Sequence, residues 1–166
     1  GFPNVEVDPA LLSLVDKHSR EGKNQYAPMP GLPILKEKIA AKIEELYGAK
    51  YHPINEILIT AGATQAIYAS VSAIVFPGDE VIVPALSWST TVWPLIQNGL
   101  VPVFVDIDSD TLNISPIEIE KAISNKTKAV MIVPVYGNPC NMDSIIEICK
   151  QRGLQLIEDN CEYLGA

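Results

Sequence analysis

Ile57-Leu58-Ile59-Thr60-Ala61-Gly62-Ala63-Thr64 is the stretch on which the fold turns. Residues 57–60 are an apolar run that reads as a buried strand. Small residues then make a turn, and a helix follows over about 64–75. The same unit recurs downstream. Apolar runs at 80–83, 101–107, 129–135 and 154–158 alternate with helical segments near 88–98, 116–123 and 142–152. Strands alternating with helices predict an α/β fold, a mainly parallel sheet with helices on both faces. Ligands of such sheets bind beyond the carboxyl ends of the strands, which is where Gly62, Trp88, Tyr136 and Asp159 fall.

Punctuation supports these elements. Ser115-Pro116-Ile117-Glu118 has the form of a capping box with proline at the first helical position. Gly99 and Gly153 stand where helix C-caps belong. Upstream, residues 1–55 read as helical. Asp8 and Pro9 start one helix, with Leu11, Leu14, Val15 and His18 on one face. A second helix spans about 32–46, where Leu32, Leu35, Ile39, Ile43 and Leu46 recur at three- and four-residue steps and Gly48 ends the run. The turn residues of 24–31 make a loop between the two. The whole, residues 1–166, is expected to be a single domain: a helical N-terminal segment (1–55) and an α/β core (56–166).

A chain of 166 residues can bury roughly 70% of its unfolded surface. The net charge of −8 argues against nucleic acid or an anionic membrane as main partner. It does not oppose an anionic cofactor, because a phosphate site depends on local backbone dipoles. Cys140, Cys149 and Cys161 have no disulfide-framework spacing, and no CxxC pair or nearby histidine suggests zinc. They read as buried or half-buried thiols of a cytoplasmic protein. No apolar run reaches the length of a membrane span, and no signal peptide opens the chain.

Several residues could carry chemistry. Ala61-Gly62-Ala63-Thr64 lets a backbone approach a ligand closely while helix amides point at it, which suits a phosphate dianion. It suits a plain strand-to-helix turn capped by Thr64 equally well. Asp159, closing the run Leu154-Gln155-Leu156-Ile157-Glu158, is either a solvated carboxylate or the partner of a pyridine nitrogen. In the second role it would keep the ring protonated and electron-withdrawing. Trp88 could stack on a flat cofactor or pack in the core, and Trp93 reads as core. The Tyr26 phenol could reach a phosphate or be structural.

In order along the chain, these pieces resemble fold-type-I pyridoxal-phosphate aminotransferases. Residues 1 to about 83 resemble the class I/II enzymes of methionine and kynurenine type. The carriers are Gly1-Phe2-Pro3, Asn24-Gln25-Tyr26-Ala27-Pro28-Met29-Pro30-Gly31-Leu32-Pro33, Ile59-Thr60-Ala61-Gly62-Ala63-Thr64-Gln65-Ala66-Ile67 and Pro77-Gly78-Asp79-Glu80-Val81-Ile82. From about Pro84 the chain is similar to the DegT/DnrJ/EryC1/StrS sugar aminotransferases and dehydratases. Here the carriers are Pro84-Ala85-Leu86-Ser87-Trp88, Pro102-Val103-Phe104-Val105-Asp106-Ile107-Asp108, Thr111-Leu112-Asn113-Ile114, Tyr136-Gly137-Asn138-Pro139, Met142-Asp143 and Ile157-Glu158-Asp159-Asn160-Cys161-Glu162. The shift between the two suggests a chimera joined near 78–84.

The resemblance implies a partial large domain and pyridoxal phosphate as cofactor, weakly bound or unbound by this chain alone. It implies amino transfer to a keto acid or keto sugar, a small-molecule substrate and a homo-oligomer. Gly62, Ala63 and Thr64 match the phosphate turn, Trp88 the stacking aromatic and Asp159 the ring-nitrogen partner. Tyr26 matches a tyrosine that reaches the neighbouring subunit's phosphate. Glu162 stands where relatives carry glutamine or histidine beside the cofactor hydroxyl. The lysine that bonds to the cofactor would lie beyond Ala166, and none of Lys121, Lys126, Lys128 or Lys150 lies in a matching motif. The chain alone is therefore expected to be inactive: the piece of an aminotransferase, a non-catalytic module that keeps some phosphate or cofactor binding, or a fragment of a sugar dehydratase. In the parent fold two later strands separate 57–60 from 154–158. Without them, strand 57–60 is expected to move beside 154–158, or two chains to pair their edges.

Overall fold

The computed structural model describes residues 4–163; the Gly1-Phe2-Pro3 motif lies outside them. The chain divides into two compact units, Gly1–Ile59 and Thr60–Ala166. In the first, Asp8 Oδ1 accepts the Ala10 N–H at 2.7 Å and starts α1 (Pro9–Arg20) with proline in the first turn. Lys17, His18 and Arg20 lie in the last turn, where the helix dipole favours cations. Helix α1 buries none of its residues, and Leu11, Leu14, Val15 and His18 line an open groove. Helix α2 (Pro33–Tyr47) ends at Gly48 in the left-handed conformation. Its buried residue is Lys36, whose Nζ donates to the Ile54 carbonyl at 3.0 Å. Gly31 has φ +97°, and a Cβ there would collide with the Ile59 side chain. The loop can pass residue 59 this closely only as glycine.

The second unit holds α3 (Ala63–Ile74), β1 (Glu80–Pro84), α4 (Ser89–Gln97), β2 (Val101–Val105), α5 (Pro116–Ala122), β3 (Thr127–Ile132), α6 (Met142–Arg152) and β4 (Gln155–Glu158). The strands form one parallel sheet in the order β2-β1-β3-β4. In register, Val81 faces Pro102 on one side and Ala129 on the other, while Met131 pairs with Ile157. Because side chains alternate, each strand feeds two cores. Val81, Val83, Ala129, Met131 and Ile157 pack with Ile67 and Val71 of α3 and Leu95 of α4. Ile82, Val130 and Ile132 pack with Ile119 of α5 and Ile145, Ile148 and Cys149 of α6. The central strands β1 and β3 are largely buried on both faces, which explains why they read as continuous apolar runs, whereas the flanking strands β2 and β4 leave Val101, Phe104, Gln155 and Glu158 exposed.

Three expectations are corrected. Residues 57–60 form no strand, and among the described residues the sheet has four strands, of which β4 pairs with β3 alone. A strand exists only through its partners. Among the described residues this run finds one main-chain hydrogen bond, from Ile59 N–H to the Pro30 carbonyl at 3.3 Å, and leaves Leu58 exposed. The capping box does not close: Ser115 makes no side-chain cap bond, and Glu118 pairs instead with Lys121 at 2.7 Å. Trp93 is 56% exposed and not in the core, because Thr91, Pro94 and Leu95 take the inner face of α4.

Candidate cofactor site

The strand order sets where a ligand can enter. The loop after β1 leads to α4 on one face of the sheet, and the loop after β3 leads to α6 on the other. Since β1 and β3 are neighbours, a crevice opens between their carboxyl ends. Leu86, Ser87 and Trp88 line it from the β1 side, and Val133, Val135 and Tyr136 from the β3 side. Glu162 closes it, giving a cleft of about 150 Å³. Trp88 is the N-cap residue of α4 and is 71% exposed. Glu162 is also exposed, yet its Oε2 is held by the Tyr136 N–H at 2.7 Å.

A second cleft, about 260 Å³, lies at the carboxyl end of β4. Ala63, Ala66, Ile67 and Ser70 of α3 form one wall, and residues 157–161 the other. The start of α3 and Asp159 therefore share one cavity. Gly62 is the N-cap of α3, with φ +89° and ψ 167°, a conformation almost confined to glycine. Open space lies where its Cβ would project. The Ala61 N–H is bound by the Gln65 side chain at 2.7 Å, so the turn is braced from within the helix. Thr64 is the second residue of α3 and exposed; Gly62, not Thr64, caps the helix.

Asp159 is not a solvated carboxylate: it is 6% exposed. Its N–H extends the β3–β4 ladder to the Ile132 carbonyl at 2.9 Å, which fixes its backbone at the sheet edge. Oδ2 accepts the hydroxyl of fully buried Thr91 at 2.7 Å, and Oδ1 accepts the Cys161 N–H at 3.3 Å. The Cys161 thiol is pushed up to about 11, first by partial burial, then by its hydrogen bond to Asp159 and the charges of Asp159 and Glu162. That sulfur stays a protonated neighbour of the carboxylate. Cys140, buried below the turn after β3, is also pushed up to about 11, by burial and the Glu158 charge.

The second unit thus brings together Gly62, Ala63, Asp159, Trp88 and Glu162 along one edge of the sheet. Tyr26 lies in the first unit, on the loop between α1 and α2, fully exposed. The second unit's lysines do not reach this edge. Lys121 and Lys150 sit near the C-terminal ends of α5 and α6, and Lys126 and Lys128 at the amino end of β3. Thr91 was missed by sequence reasoning. Its signal is a hydroxyl on the inner face of a helix, one turn beyond Trp88.

These residues fit a phosphorylated pyridine. A glycine turn with free space beside it opens onto the N-terminal amides of α3, and a buried anionic acceptor stands across the same cleft. Donors to that acceptor are neutral, so its charge remains available to a cation.

The parallel sheet, the helices on both faces and this edge define a partial large domain of the fold-type-I transferases. Residues 37–166 match the model of the DegT/DnrJ/EryC1/StrS aminotransferase family. The chain belongs to that family. It is 43% identical over 129 residues to GDP-4-keto-6-deoxy-D-mannose 3-dehydratase of Yersinia pseudotuberculosis, covering 74% of this chain and 32% of that protein. The structure of Mycobacterium tuberculosis N-succinyldiaminopimelate aminotransferase superposes with a TM-score of 0.87 at 30% identity, over 96% of this chain and 44% of the other. The Escherichia coli GDP-4-keto-6-deoxy-D-mannose-3-dehydratase, solved with bound hydrated PLP, superposes with a TM-score of 0.79 at 31% identity. That match covers all of this chain and 42% of the dehydratase. The chain thus spans about a third of the length of the curated relatives it matches.

Proposed function

We propose that this chain forms the pyridoxal-phosphate cradle of a sugar-modifying enzyme of its family, one that transfers an amino group to a keto sugar. The observation that carries the reading is the buried Asp159, held by Thr91 across the cleft from the first turn of α3. Gly62, Ala63 and Thr64 would bind the phosphate through main-chain amides, helped by the Thr64 hydroxyl and the helix dipole. Trp88 would lie against the ring. Asp159 would hold a proton on the ring nitrogen by a charge-assisted hydrogen bond, with Thr91 fixing which oxygen faces the ring. When bound, the cofactor supplies an electron sink for bonds at the amino-bearing carbon. Tyr26 would serve the phosphate of a second copy in a homo-oligomer, and the substrate would be a small molecule.

A dehydratase is the second reading, favoured by the 43% identity to a 3-dehydratase. A join of two lineages at 78–84 is supported by the motifs before it and opposed by the family match, which starts at residue 37. Residues 1–166 alone are inactive in this proposal, since no lysine of the second unit stands at the carboxyl edge of the sheet. Mixed with pyridoxal phosphate, this polypeptide is expected to yield no yellow protein that survives desalting. Borohydride reduction and peptide mapping that labelled one lysine stoichiometrically would overturn the inactivity.

A further inference from the structure

Among the described residues, two non-glycine residues have positive φ: Leu112 at 61° and Tyr136 at 53°. Both adjoin the hydrogen bonds of one buried side chain, Asn113, which is 2% exposed. Its Nδ2 donates to the carbonyls of Asn138 at 3.0 Å and Pro139 at 3.2 Å. Its Oδ1 accepts the Val135 N–H at 3.0 Å. One carboxamide therefore grips the turn Val135–Gly137 on both sides of Tyr136. Asn113 is itself anchored: its carbonyl accepts the Asp108 N–H, and the Leu112 N–H returns to the Asp108 carbonyl, each at 2.8 Å. Asn138 Nδ2 adds a return bond to the Thr111 carbonyl at 3.1 Å.

A bulky residue keeps a left-handed conformation only where its surroundings over-determine it. Here they do. Rotating Tyr136 to negative φ turns the peptide planes on its two sides relative to each other. Either the upstream plane then leaves Glu162 or the chain beyond Gly137 is carried away from Asn113, which holds the Asn138 and Pro139 carbonyls. The upstream plane carries the Tyr136 N–H, which holds Glu162 Oε2 at 2.7 Å. We propose that Asn113 is a positioning residue for Glu162: by clamping the strained turn at Tyr136, its buried carboxamide fixes the Glu162 carboxylate at the mouth of the cleft beside Trp88. Its value to the site rests on the reading that Glu162 borders the cofactor; the clamp itself does not.

The test follows the amide resonance of residue 136 in the 166-residue chain. In the parent sequence Glu162→Gln should move this resonance upfield, because a charged acceptor becomes neutral. In Asn113→Ala the resonance should already have moved and should no longer respond to Glu162→Gln. Adding Tyr136→Gly should restore the response, since glycine takes positive φ without strain. A merely structural asparagine would not be rescued there. Should Asn113→Ala fail to fold, Asn113→Asp is read in the same way, keeping volume and acceptor while facing a carboxylate to two carbonyls. An amide that stays put and still responds to Glu162→Gln in the Asn113 variant overturns the proposal. Affinity for pyridoxine 5′-phosphate judges the functional reading separately. It should fall on the order of tenfold in Asn113→Ala. Absence of binding to the parent chain defeats that reading, while the amide still decides the clamp.

Discussion

At the scale of the residue, a carboxylate and a hydroxyl 68 positions apart in sequence meet at the cleft. Asp159 is buried, and the Thr91 hydroxyl is its shortest contact, at 2.7 Å. Valine has nearly the shape of threonine but cannot donate. Thr91→Val should therefore leave the packing of α4 intact and strip Asp159 Oδ2 of its partner. The expected cost is about 1–3 kcal/mol, the penalty for a buried acceptor left unsatisfied. Urea unfolding would measure it, and Thr91→Ser should keep the bond while losing the packing of one buried methyl group. A Thr91→Val variant as stable as the parent chain would show that the bond contributes nothing. Asp159 was legible in the sequence because a carboxylate that ends an apolar run has a defined place at the sheet edge. Thr91 was not, because only the fold brings α4 over the end of β4. The left-handed conformations of Leu112 and Tyr136 were equally hidden, since neither is a residue type that announces positive φ.

At the scale of the element, β1 and β3 stood out because burial on both faces makes each a nearly continuous apolar run, while β2 and β4 stood out as short apolar runs between helical segments although each exposes part of its length. The run at 57–60 carries the same local signal and forms no strand, since pairing is a property of neighbours and not of the run. The helix start at Asp8 was readable from local chemistry. Glu118 was misread because an exposed glutamate has a choice of partners and takes Lys121. The loop between β2 and α5 offers a test of local electrostatics. Asp108 is held below its ordinary value of 3.8, mainly by the Thr111 N–H and then by the Asp110 N–H. A depressed carboxyl contributes stability that is complete above its unfolded value and is lost as pH falls through the folded one. The amide resonances of Asp110 and Thr111 should accordingly titrate together, with a midpoint below 3.8. Asp108→Asn should abolish that titration. A midpoint at or above the ordinary value would mean that the turn does not favour the charged form.

At the scale of the molecule, the second unit carries nearly all the buried apolar residues and every residue of the two clefts. Its strand order creates the crevice, its N-terminal helix supplies the amides, and its last strand delivers Asp159. In the proposed function these parts act as one cradle for a phosphorylated pyridine. The most direct measurement is a titration of the chain with pyridoxine 5′-phosphate, followed by amide resonances, with inorganic phosphate in parallel. Phosphate should shift Gly62, Ala63 and Thr64 before any others, and Thr64→Ala should weaken the effect while sparing the backbone amides. Pyridoxine 5′-phosphate should shift the same three together with Cys161, whose N–H reports on Asp159 at 3.3 Å. Shifts clustered elsewhere, or a response at the turn with none at Cys161, would contradict the cradle.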